Sequence, residues 1–268
     1  MFETFTLSNI RICFVLRASN FVLCLIAVAH LFVAAPLHAA DMPSISRTAR
    51  EIEGWTVRVD DRLLQAPDAA LGSRALRFLE AKLVEIKAVV PAQRLEELQT
   101  IRIVLDLNCG GLGAMQYHPD EGWLTSHGYS PDLVKCVHLP RAADVATRRN
   151  INEQPWVILH ELAHAYHDQF LGFEEPRIMA AFDQFKESGH GDSALLYDGR
   201  RVRHYALTDH KEFFAEMTEA YFGSNDFFPF NRAELIETEP RLFEFLTAIW
   251  DPPAAEKSEA RSTKSETN

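Results

Sequence analysis

The chain reads as one α+β domain, a small mixed β-sheet packed on helices, and three observations predict it. Short β-branched runs lie in the first half of the sequence, at 55–59, 100–107 and 136–139. Apolar residues at helical spacing dominate from about 153 to 249. Between these parts there is no internal repeat and no Gly/Ser linker, so residues 41–250 form a single domain long enough for one substantial core.

The two ends lie outside that domain. Arg11 and Arg17 precede an apolar run over 21–35, and Ala39-Ala40 offers small residues for cleavage. That pattern predicts a signal peptide over 1–40, with an uncleaved signal anchor as the alternative, since the run is short for a membrane span. Export follows, to the periplasm or beyond the cell. From Asp251 the chain carries two prolines and then no apolar residue larger than alanine, which predicts a disordered tail over 251–268. The net charge of −11 argues against nucleic acid or an anionic membrane as the main partner. Cys13 and Cys24 fall in the leader. Cys109 and Cys136 remain, and two cysteines in an exported protein predict one disulfide, with two unpaired buried thiols as the alternative.

Taken in order, Trp55-Thr56-Val57-Arg58-Val59 alternates as a strand. Leu76, Leu79, Leu83, Ile86 and Val90 are spaced for an amphipathic helix over 71–90 that stops before Pro91. A strand over 100–107 runs into the Gly110-Gly111-Leu112-Gly113 bend, and 114–118 and 136–139 are further short strands. Helices are expected at 153–170, capped by Asn152 with Pro155 in the first turn, and at 175–187, 209–222 and 231–249. Asp198-Gly199 between two extended runs predicts a tight hairpin that carries Tyr205 to a strand end before a helix.

The chemistry concentrates in His160-Glu161-Leu162-Ala163-His164, an HExxH motif. Histidines four residues apart on a helix lie about 40° apart around its axis, so both imidazoles reach one metal ion. Glu161, one step round, can meet a water beside the ion rather than the ion itself. The helix is apolar on nearly every side, and buried histidines and glutamate need partners there. A zinc ion would satisfy them together; two hydrogen-bonded core histidines beside an ion-paired glutamate would be the bland alternative.

A catalytic zinc takes three protein ligands, so a third must come from elsewhere. The metzincin spacing fails, because His167 and Phe170 stand where glycine and histidine are required. Glu212 and Glu216 lie one turn apart in a helix otherwise rich in phenylalanine. Spacing alone leaves Glu212 divided between a metal ligand and a capping-box partner of Asp209, and leaves Glu216 open as a surface residue. His204 and His210 stand as rival ligands or oxyanion donors. His167, Asp168 and His190 are expected in solvent, and Tyr117 and Trp123 line a groove or join the core.

The runs HELAHAYHDQ and HYALTDHKEFFAEMTEAYF resemble the catalytic region of the anthrax lethal factor-like zinc metallopeptidases, over about 150–250. In that family an HExxH helix is followed by a tyrosine and, seven residues later, a ligand glutamate in an E-F-F-A-E string. The resemblance implies one Zn²⁺ held by His160, His164 and Glu212, with Glu216 supporting the site from behind and Tyr205 stabilising the oxyanion. It further implies peptide hydrolysis of a peptide or protein substrate, with Glu161 as general base. The extra delivery domains of the toxin members have no counterpart in this length of chain. Two other readings stay open: an inactive, metal-stabilised extracellular binding module, and a zinc hydrolase of a non-peptide amide such as one in a cell wall.

Overall fold

A two-residue reversal at Glu53-Gly54, both with positive φ, sets the first hairpin, β1 (Arg47–Ile52) against β2 (Trp55–Asp60). Gly54 has a φ of +95°, which favours glycine, and a Cβ there would have to displace the Gln99 amide, 2.3 Å away. The computed structural model describes residues 44–252. The expected leader, and all of the expected tail but Asp251 and Pro252, therefore lie outside the described residues. Among the described residues no helix is long and apolar enough to cross a membrane.

β2 buries Trp55, Val57 and Val59, as its alternation predicts. α1 (Ala69–Val89) and α2 (Ala92–Gln99) then cross over to β3 (Arg102–Leu105), which lies parallel to β2. The sheet continues to β4 (Gln116–Tyr117), followed by α3 (Glu121–Ser126), β5 (Cys136–Leu139) and α4 (Ala142–Val145). Strand order is β1-β2-β3-β5-β4, with β5 parallel to β3 and β4 antiparallel on the far edge. The fold is thus α+β with a mixed sheet.

Helices fill the second half. They are α5 (Val157–Tyr166), α6 (Pro176–Ser188), α7 (His210–Phe222), α8 (Arg232–Thr238) and α9 (Pro240–Trp250). One sheet face, with Ile103, Leu105, Val137 and Leu139, packs on α1, α5, α7 and α9 to form the main core. The opposite face carries a smaller cluster of Val104, Cys109, Leu112, Leu124, Leu133 and Cys136.

Three expectations change, and one strand was not expected. The helix expected at 231–249 is two helices, because Pro240 lacks the N–H that would continue the first and instead starts the second. α5 begins at Val157, and the segment with Asn152 forms a separate π-helical turn, Arg149–Glu153, so Asn152 does not cap it. The hairpin at Asp198-Gly199 joins β6 (Ala194–Leu195) to β7 (Arg201–Val202) through a five-residue connection, 196–200, that turns at Gly199 with φ +88°. β1 has no sequence signature because it is an exposed edge strand with no face to bury.

The disulfide expected between Cys109 and Cys136 is not formed. Both cysteines are buried free thiols of the small cluster. Cys136 Sγ contacts the carbonyls of Asp132 and Val134, at 3.6 and 3.4 Å, while Cys109 lies beside Asp106. Burial pushes the Cys109 thiol up to about 11 and raises Cys136 as well.

Candidate metal centre

α5 is a helix of apolar residues in which His164 alone is not fully buried, and it packs along α7. α7 is capped by Asp209, whose carboxylate accepts from the N–H groups of Lys211 and Glu212. The Glu212 side chain makes no reciprocal bond to that cap. It turns to the histidines instead.

Glu212 Oε2 lies 3.2 Å from His160 Nε2 and 3.4 Å from His164 Nε2, and the two nitrogens are 3.1 Å apart. His160, His164 and Glu212 therefore form one triangle of donor atoms able to hold a metal ion. His160 Nδ1 meets Glu219 Oε1 at 2.7 Å, so a neutral ring keeps its proton there and turns its Nε2 lone pair to the triangle. Two ring nitrogens and a carboxylate oxygen so close repel unless a proton or cation lies among them. Tetrahedral zinc with bonds of about 2.0–2.2 Å spaces its ligands about 3.3–3.6 Å apart, close to the edges observed. The residues present fit such an ion.

Burial opposes charge on both His160 and Glu212, but hydrogen bonds overcome it. Glu212 and Glu219 raise His160 well above the usual imidazole range, and the two histidines hold Glu212 far below the usual carboxylate range. Glu161 is buried in the same pocket of charge. Burial raises its carboxyl, with His160, His164 and the backbone N–H of Tyr117 working the other way. That N–H points off the free edge of β4 and donates to Glu161 Oε2 at 2.9 Å. Glu161 is thus tied to the sheet edge, an attachment that no local pattern could reveal.

The other expected residues divide. Tyr205 is half-buried and opens a short 3₁₀ turn, Tyr205–Leu207, packed against α7. Glu216 is wholly buried rather than on the surface, yet it is not the carboxylate that holds His160. Its Oε1 is 3.7 Å from His160 Nδ1, beyond hydrogen-bond reach, and Glu219 takes that place. The signal for Glu219 was present: seven residues after Glu212, it lies two turns on and closer to the same face than Glu216 does.

His167, expected in solvent, has zero exposure and packs edge-on against Phe173 and Phe214, where burial pushes it down to about 4. Asp168 accepts from Tyr117 Oη at 2.6 Å and pairs with Lys135, which makes Tyr117 part of the core. Trp123 is 42% exposed and stacks on His127. His210 is engaged with the Phe173 carbonyl, and His204 is buried with Nδ1 accepting from Ala206 N–H. Neither completes the triangle. His190 is exposed, as expected, and pairs with Glu239.

No protein-family model, curated protein or solved structure matches the chain.

Proposed function

We propose that this chain is an exported zinc-dependent metallopeptidase, with one Zn²⁺ held by His160, His164 and Glu212. The observation that carries the reading is Glu161. A structural zinc site is closed and has no use for a buried carboxylate beside it. Here that carboxylate is buried, raised in pKa and held by a backbone N–H at the sheet edge. The resemblance to the lethal factor-like metallopeptidases supports the same assignment.

When bound, zinc supplies Lewis acidity toward a carbonyl and lowers the pKa of a water. The residues of the chain do the rest. Glu161 takes the proton of the attacking water and returns it to the leaving amine, and its raised pKa brings it nearer the working pH for both transfers. Tyr205 Oη donates to the oxyanion that develops on the substrate carbonyl, a contribution of about 2.7–4 kcal/mol for comparable donors. Glu219 holds the Nδ1 proton of His160 and so orients its ring. An extended substrate pairs with the chain entering β4, where Gly113 and Ala114 are exposed beside the free edge.

The test is a degenerate peptide pool incubated with the full chain and with Glu161→Gln, read by mass spectrometry. Cleavage by the parent and not by the variant supports the reading. Silence from both, with zinc bound to each, overturns it in favour of a non-peptide amide hydrolase or a binding module.

A further inference from the structure

The chain stays extended beyond the end of β5: Arg141 has φ −138° and ψ 107° before α4 begins. Strand alternation puts position 141 on the face of Val137 and Leu139, the face that packs on α5. The antiparallel register Gln116↔His138, carried on past both strand ends, brings Gly113 opposite Arg141. The guanidinium does lie there, since a Cβ on Gly113 would stand 3.8 Å from Arg141 Cζ and Nη1. Gly113 is exposed beside the free edge and puts no side chain between that guanidinium and a peptide laid along it.

The charge of Arg141 is unanswered. The residue is half-buried, and among the described residues its guanidinium has no ion pair, hydrogen bond or aromatic ring. The other arginines without such a partner there, Arg50, Arg74 and Arg241, are all exposed to water. Acidic side chains outnumber basic ones by 38 to 27 in this chain, so partners were not scarce. A guanidinium partly shielded from water and left unpaired beside the substrate edge is disposed to take a carboxylate, which its planar fork can grip at two points.

We propose that Arg141 selects peptides that carry a carboxylate, from an acidic side chain or a free C-terminus, about three or four residues from the bond that is cut. The inference rests on the peptidase reading and names the substrate class of that same site. Tyr117 marks the level of Glu161, because its N–H holds that carboxylate. Gly113 lies about 13 Å back along the chain at about 3.3 Å per extended residue, and a substrate paired to the edge advances at the same rise. That separation sets the distance between the selected carboxylate and the scissile bond. Arg141 touches the substrate away from the reacting atoms, so it binds ground state and transition state alike. Its contribution therefore falls on KM rather than kcat.

The experiment gives the zinc-loaded full chain two degenerate peptide pools, one with free and one with amidated C-termini, and reads the cuts by mass spectrometry. Enrichment of Asp and Glu at one position in both pools names an acidic side chain as the source. Cleavage confined to the free-ended pool, at a fixed distance from the end, names the terminal carboxylate. Matched peptides with and without that carboxylate then give kcat and KM for the parent, Arg141→Gln and Arg141→Glu. The parent should favour the carboxylate about 10–100-fold in kcat/KM, carried by KM. Arg141→Gln should level the preference and Arg141→Glu should invert it toward lysine. With no partner stranded by the change, both variants should keep the parent's Tm and zinc content. Cleavage without a carboxylate preference, or a preference that survives in Arg141→Glu, overturns the proposal and leaves the peptidase reading standing. No cleavage by the zinc-loaded parent overturns both.

Discussion

Two buried polar groups lie on opposite faces of the sheet, built from the same residue types, yet they close in different ways. On the far face Arg47 donates twice to Asp106 at 2.7 Å. Asp106 meets His138 Nε2 at 2.9 Å, and His138 Nδ1 meets His118 Nε2 at 3.0 Å. This ladder spans the sheet from β1 to the end of β4, and each link is a donor against an acceptor. Asp106, Cys109 and His138 also lie close enough to hold a metal ion, but the guanidinium already supplies the positive charge. Under the near face, His160, His164 and Glu212 converge on a common point, and among the described residues no arginine pairs with them. A cluster of histidine and acid is therefore not yet a metal site. What distinguishes one is whether protons already answer its acceptors.

The largest effect expected is chemical. Glu161→Gln lowers kcat by about 10²–10⁴ while zinc content, read by mass spectrometry of the metal, stays at that of the parent. A variant that lost its zinc instead would remove the contrast between base and ligand.

The ladder should break thermodynamically. Asp106→Ala strands the buried Arg47 guanidinium, and urea denaturation should report a loss of about 3–5 kcal/mol with zinc content unchanged. A smaller effect is expected on the near face. Glu219→Gln should weaken zinc binding about 10–100-fold in a competitive chelator titration, because the ring of His160 loses its anchor. Equal affinity in parent and variant would mean that Glu219 does no orienting.

Acid should sharpen the comparison. Burial, then the neighbouring His138, hold His118 down to about 3, and burial lowers His138 as well. A histidine depressed on folding binds its proton first in the unfolded chain. Its contribution is whole above about pH 6.5 and is lost as the pH falls toward the folded value. Zinc-free protein should therefore lose stability steadily below pH 6.5. His118→Gln should remove about one proton from that slope, about 1.4 kcal/mol per pH unit. Denaturation curves at successive pH values check it, and an unaltered slope would count against the ladder. The smallest effect is none: with Cys109 and Cys136 unbridged, reductant should leave the Tm where it was.

Much of this site was legible in the residues. Helical spacing pairs His160 with His164, and the density of phenylalanine around Glu212 and Glu216 marks carboxylates with no ordinary reason to be buried. Local geometry could not say which carboxylate answered which atom. Glu212 turned from cap to histidines, and Glu219 displaced Glu216 at His160, because α7 packs along α5 at a depth that only the finished core fixes. His167 was misjudged for the same reason. Its place relative to His160 suggested solvent, whereas Phe173 and Phe214 close over it from elements distant in sequence.

By itself, then, the sequence determined most of the elements, the helical half, the pair of motif helices and the pairing of His160 with His164, because these follow from periodicity within one segment. Only the tertiary structure decided that β4 is an edge strand, that its Tyr117 N–H holds Glu161, that the cysteines stay apart and that Glu216 is buried. Each of these depends on the distance between side chains far apart in sequence, and only packing sets such distances.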